Sequence, residues 1–305
     1  MIMNNPEESV TTGRFSLSAG RVPRVAAIHD ISCIGRCAGT VILPVLSVCG
    51  IQACPLPTAL LSTHTGGYTG FTFLDLTNEM PRIAEHWNTL GETFEAVYSG
   101  FLGSADQIEL VRSFAADCKK KSPHCLFLAD PVMGDDGACY ATYTDEMCQK
   151  TRELVRDADI ITPNVTEACI LLDVPYRTDF SNKELEQMTK ALSRLSSGLV
   201  VLTGIHRDDR VGVMYYERAM DEPGTYFTLR DPNNYPGTGD VFASILLAGL
   251  LAGKKASESV KLACDFIYEI ARFTTTLHTP VREGLAIEPF LGKLAGLIST
   301  KESCI

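Results

Sequence analysis

Pro236-Gly237-Thr238-Gly239-Asp240 sets two glycines and a carboxylate just ahead of a long apolar segment. Glycine lets successive backbone N–H groups turn toward one point, and a helix N-terminus adds unpaired donors and a positive dipole end. Such a pocket suits phosphoryl oxygens. Asp240, in the first turn beside it, can take the proton of an attacking hydroxyl. The bland alternative is a glycine-rich turn with Asp240 as a helix-start residue, and these five residues alone do not choose between the two.

Two further segments carry acids. Asp130-Pro131-Val132-Met133-Gly134-Asp135 ends an apolar run with a carboxylate. Thr162-Pro163-Asn164-Val165-Thr166-Glu167 ends the next, with Glu167 one helical turn past Asn164. Carboxylates at neighbouring strand ends can hold Mg²⁺ directly or through waters. The alternative is turn chemistry at Asp130-Pro131 and a capping box of Asn164 with Glu167. Ser62-Thr63-His64-Thr65-Gly66-Gly67-Tyr68 is dense in hydrogen-bonding groups and reads as a substrate loop or an ordinary polar one. The stretch from Gly249 to Gly253-Lys254-Lys255 imitates a phosphate-binding loop, but it lacks Ser or Thr after the lysine and ends an apolar helix. The other histidines, His29, His86, His124, His206 and His278, show no metal-ligand spacing.

These groups need a frame to bring them together. The patterning predicts strands at residues 22–28, 51–56, 96–98, 125–129, 159–162 and 199–203, and an antiparallel pair at 211–216 and 226–229. Helices are expected at 38–49, 75–90, 104–121, 145–156, 164–172, 181–196, 239–251, 257–275 and 288–298. Strands alternating with helices imply an α/β fold with a mostly parallel sheet covered on both faces. Ligands bind at the carboxyl ends of such strands. That rule gathers the loops at Asp30, His64, Gly100, Asp130, Asn164, Thr203 and Gly237 around one cleft.

Composition narrows the partners. The 305 residues are 45% apolar and carry a net charge of −10, with no block of Lys or Arg. That argues against nucleic acid or an anionic membrane surface, but not against a nucleotide held by Mg²⁺ and backbone amides. No apolar run approaches the roughly 18–20 residues of a membrane span. Residues 1–20 are polar and read as a loose extension ahead of one domain at 21–300. None of the eleven cysteines forms a Cys-x-x-Cys pair, so reduced thiols in a cytoplasmic protein are expected.

Taken in order, Asp130-Pro131-Val132-Met133-Gly134, Thr162-Pro163-Asn164 with Glu167, and Gly237-Thr238-Gly239-Asp240 resemble the ribokinase-like vitamin kinases. Ser62 with His64-Thr65-Gly66, Ser99-Gly100-Phe101-Leu102-Gly103-Ser104 and Tyr268-Glu269-Ile270 narrow the resemblance to pyridoxal/pyridoxamine kinases, over about Val22 to Ile298. The resemblance implies a three-layer α/β/α fold, Mg²⁺ with ATP, a pyridine alcohol as acceptor, and a homodimer; a monovalent cation is left open. It makes Asp240 the base and Gly237, Thr238 and Gly239 the anion hole. Asp130, Thr162 and Glu167 fall on the metal side, and Asn164, Thr203 and Gly204 on the nucleotide. Asp30, His64, Thr65 and Phe101 fall on the substrate. The family often carries Ser where Asp30 stands and Tyr where Phe101 stands. A hydroxymethylpyrimidine kinase of the same fold is the nearest rival, and a catalytically dead ligand-binding relative the reading from another class.

Overall fold

The computed structural model describes residues 21–298. The expected extension, residues 1–20, lies outside them. The first half runs β1 (Arg24–Ile28), β2 (Ile31–Ile34), α1 (Gly39–Val48), β3 (Gln52–Pro55), β4 (Ala59–Thr63), β5 (Phe73–Asp75), α2 (Met80–Thr89), β6 (Ala96–Ser99) and α3 (Ala105–Lys121). There follow β7 (Leu126–Ala129), β8 (Gly134–Asp135), β9 (Ala138–Cys139), α4 (Asp145–Asp157), β10 (Ile160–Ile161), α5 (Val165–Leu172) and α6 (Asn182–Leu195). The chain continues with β11 (Leu199–Arg207), β12 (Arg210–Glu217), β13 (Glu222–Leu229), α7 (Thr238–Leu251), α8 (Ala256–Leu277) and α9 (Leu291–Ile298).

Eight strands form one sheet in the order β13-β12-β11-β10-β7-β6-β1-β3. It is parallel from β3 to β11, and β12 and β13 join antiparallel. The two-residue period of a strand sends alternate side chains to opposite faces. Val25, Ala27, Ala96, Tyr98, Leu126, Leu128, Leu199 and Val201 therefore enter one core, with residues of α1, α7, α8 and α9. Ala26, Ile28, Val97, Phe127, Ala129, Val200 and Leu202 enter the other, with residues of α3 to α6. The result is a three-layer α/β/α arrangement. Every residue of α7 from Val241 to Leu251 is buried, so its first turn is pinned at the sheet edge.

Three features differ from the sequence expectation. Residues 73–75 belong to β5, which pairs with β4, so the helix expected from residue 75 begins at Met80, with Pro81 in its first turn. β11 runs past Thr203 to Arg207 across a bulge between Leu202 and Ile205. A separate small sheet, in the order β2-β4-β5, stands beside the main one. Among the described residues no helix is long and apolar enough to cross a membrane.

Candidate active site

α7 presents its N-terminus at the carboxyl edge of the sheet. Gly237 caps it at φ 79°, in the left-handed region. A Cβ there would lie 2.1 Å from the Arg36 carbonyl oxygen, so no side chain fits. The first intrahelical bond is Val241 N–H to Gly237 O, 3.0 Å. The amides of residues 238–240 therefore have no partner within the helix. The Thr238 hydroxyl donates back to Tyr235 O at 2.7 Å, closing the turn.

Asp240 accepts the Ala38 N–H on Oδ2 at 2.7 Å, and its Oδ1 has no hydrogen-bond partner among the described residues. Desolvation raises its pKa to about 7; the Ala38 amide opposes the shift, while the charges of Asp130 and Asp30 add to it. Asp130 follows β7, and its Oδ2 lies 3.9 Å from where a Gly239 Cβ would be. Its Oδ1 accepts from the Thr162 hydroxyl at 2.8 Å. Burial raises Asp130 to about 6 against that hydrogen bond. The acid beside β7 and the acid of α7 thus face the same few ångströms of cleft.

Glu167 is seated differently. Its Oε2 accepts the Asn164 N–H at 2.8 Å and its Oε1 the Met133 N–H at 3.1 Å, while Asn164 Oδ1 caps the Glu167 amide at 2.9 Å. This is the complete capping box at the start of α5. Burial, and then the nearby Asp130 charge, push its carboxyl well above the usual range. Asn164 also donates from Nδ2 to Gly134 O at 2.9 Å, and its backbone bridges to Thr203. Gly204, at φ 70°, lies 3.7 Å by its would-be Cβ from the Asn164 Cβ. Asn164, Thr203 and Gly204 are thereby brought to one place, beside the acids.

On the other flank Asp30 follows β1, buried, with Ser32 Oγ donating to its Oδ2 at 2.9 Å. Burial raises its pKa, offset in part by Ser32. His64 accepts the Gly66 N–H on Nδ1 at 3.1 Å, so its Nε2 carries the proton and donates to Arg282 O at 2.7 Å. Both ring nitrogens are thus engaged by backbone, and the ring holds its loop against residue 282, with a would-be Gly66 Cβ 4.0 Å from Pro236. Thr65 is exposed and Phe101 half-buried in the loop after β6.

Sequence reading missed the Ala38 amide, which stands at φ 48°, and the Arg36 carbonyl that walls Gly237. The only sign was the glycine spacing from Gly35 to Gly39. It also missed His29, which lies edge-on to Tyr98 with ring centroids 4.4 Å apart. Burial lowers its pKa to about 3, so the ring is neutral.

The family model for phosphomethylpyrimidine kinase matches residues 43–282. A hydroxymethylpyrimidine/phosphomethylpyrimidine kinase of Haemophilus influenzae is 33% identical over 55% of this chain and 61% of its own length. A pyridoxal kinase of Histophilus somni is 28% identical over 75% of this chain and 81% of its own. Among solved structures, a Bacteroides thetaiotaomicron protein described as a phosphomethylpyrimidine kinase superposes with a TM-score of 0.88 at 40% identity, covering 92% of this chain and 96% of that one. A second crystal form of it holds pyridoxal and superposes at 0.86.

Proposed function

Because this chain belongs to the phosphomethylpyrimidine kinase family, we propose that it transfers the γ-phosphoryl group of ATP to the hydroxymethyl group of a vitamin B6 vitamer: pyridoxal, pyridoxamine or pyridoxine. The observation that carries the reading is Asp240. It is a desolvated carboxylate with one oxygen unpartnered among the described residues, in the first turn of a helix whose leading amides have no partner within that helix. A primary alcohol is a poor nucleophile at neutral pH, and a carboxylate near pKa 7 is matched to taking its proton. The amides of residues 238–240 then receive the negative charge of the transferring group.

A divalent cation fits the other acids. The Asp130 charge raises both Asp240 and Glu167, and a cation bound among these acids would relieve that repulsion. Among the described residues no three His, Cys, Asp or Glu cluster as a cage. Mg²⁺ does not require such a cage, since it takes one or two carboxylates together with substrate phosphates. Asp130 would hold it, positioned by Thr162, and Glu167 would add charge while its oxygens keep two backbone amides. The metal supplies charge neutralisation on the phosphates. Asn164, Thr203 and Gly204 take the nucleotide side, and Asp30, His64, Thr65 and Phe101 the vitamin side. A cytoplasmic homodimer completes the proposal.

Incubation with Mg-ATP and each vitamer, followed by ADP release, is expected to show turnover on at least one. Phosphate on hydroxymethylpyrimidine and on no B6 vitamer would favour the second reading, which the Haemophilus relative supports.

Asp30 sets the preference within the B6 class. An aspartate offers a charge where a serine offers one neutral hydrogen bond, and charge-assisted bonds are about twice as strong. Asp30→Ser is expected to lower kcat/KM for pyridoxamine about tenfold more than for pyridoxal. Equal losses on both would remove Asp30 from reading the amine.

A further inference from the structure

Ala38 stands at φ 48°, ψ −138°, a backbone region that a residue with a Cβ seldom occupies and keeps only where its surroundings enforce it. In that conformation its N–H reaches Asp240 Oδ2 at 2.7 Å. On one side the turn is tied into α1 and β1. Ala38 O accepts from the Val41 and Ile42 amides, both at 3.0 Å, and Gly39 N–H donates to Asp30 O at 3.0 Å. On the other side it leans on a distant part of the chain, residues 282–288. Arg36 N–H donates to Glu283 O at 3.1 Å. The Arg36 guanidinium donates from Nη1 to the same oxygen at 3.3 Å and from Nε to Glu288 Oε1 at 2.7 Å. Gly284, at φ 77°, passes so close that a Cβ on it would lie 2.7 Å from Arg36 O, the oxygen that also walls Gly237. Gly35 packs on the His64 ring, its would-be Cβ 2.2 Å from Cδ2, and that ring donates to Arg282 O at 2.7 Å. Residues 282–288 therefore strap down the turn of residues 35–38.

We propose that Arg36 is a positioning residue for phosphoryl transfer: its guanidinium fastens the 35–38 turn to residues 283 and 288, and so keeps the Ala38 amide on Asp240 and the Arg36 carbonyl against Gly237. The kinetic part rests on the kinase reading above. Arg36 acts on the base through one amide and on the anion pocket through one carbonyl. With the Ala38 N–H on Oδ2, Oδ1 is the oxygen left for the alcohol, and a loosened turn no longer fixes which of the two faces the cleft. The ion pair is open to solvent, with the Arg36 side chain 32% and that of Glu288 58% exposed. Such pairs add little to the stability of a whole fold. The work of this one is local: it holds a turn in a conformation that alanine does not keep unaided, beside reacting groups whose rate depends on their placement to within about an ångström.

Arg36→Gln in the full chain removes the charge and keeps the backbone. Amide exchange over residues 35–39 is expected to quicken several-fold, with Tm within about 2 °C of the unchanged chain. In the kinase assay kcat should fall about tenfold, while KM for ATP and for the vitamer stays within about twofold. Arg36→Lys, which keeps a cation for Glu288, should recover part of that loss. Adding Glu288→Gln to Arg36→Gln should cost nothing further, because the two side chains act through one contact. Exchange is read without any substrate. A chain that turns over no substrate but loosens at residues 35–39 refutes the kinase reading and leaves the strap standing. Unchanged exchange over residues 35–39, an unchanged kcat, or losses that multiply in the double variant would each overturn the proposal. So would a Tm lower by several degrees with both KM values rising, which would mark Arg36 as a support of the fold alone.

Discussion

Asp240→Asn is expected to lower kcat by about 10²–10⁴ and, in the ligand-free protein at pH 8, to raise Tm by several degrees. The substitution keeps an oxygen to accept the Ala38 amide and removes the base. The stability arm follows from proton linkage. An unfolded aspartate titrates near its ordinary value of 3.8, and this one near 7. Between those values the folded state binds more protons than the unfolded one. The Asp240 contribution to stability is thus fully present below about pH 4 and is lost as pH rises through about 7. At pH 8 the wild type holds a desolvated charge among other acids, and the amide does not. On the acid side the wild-type rate should climb roughly tenfold per pH unit toward that pKa. Near-full kcat in the variant would remove Asp240 from the mechanism. A Tm below wild type at pH 8 would mean that the charge is compensated.

Gly237→Ala is expected to lower kcat by about 10²–10³, comparable to the loss of an oxyanion donor. The left-handed backbone costs an alanine on the order of 1–2 kcal/mol. The larger effect is steric, because the new Cβ would meet Arg36 O at 2.1 Å. Something must move, and the loop that carries the first-turn amides is what can. Gly253→Ala is the control: Gly253 has φ 78° with nothing within 4 Å of its would-be Cβ. It should lose about the same conformational energy and keep its kcat. Equal kcat losses in both variants would assign the effect to backbone strain, not to the anion pocket.

The frame of the molecule was legible where burial is periodic. β1, β6, β7 and β11 are buried on both faces and read as short apolar runs, and Ser104, Thr144, Asn164 and Ser181 each cap the helix that follows. The small sheet was not legible. β5 has three residues, all exposed, so no alternation marks it. β2 begins only three residues after β1 ends. β11 was cut short because Thr203-Gly204 resembles a strand end, whereas Gly204 sits in a bulge. Of the site, acids at strand ends could be seen because a carboxylate there is conspicuous. The Ala38 amide could not, since a backbone donor leaves no trace in residue type. Glu167 shows how one residue can be legible in part: the capping box at Asn164 is there, while the proximity of its buried carboxyl to the Asp130 charge could not be read from spacing.

The small β2-β4-β5 sheet is separate from the main one, and Asp30 and His64 lie at the ends of its strands. Asp240 stands on a helix buried in one core, and Asp130 and Thr162 follow strands packed between the two, where a change of size disturbs the whole sheet. The loops holding Asp30 and His64 instead border strands that leave Ile34, Leu60, Phe73 and Leu74 exposed. Substitutions at those four exposed positions meet solvent, whereas Asp30 and His64 themselves are buried. Changes at those exposed positions would leave the packing that holds Asp240, Asp130 and Thr162 undisturbed.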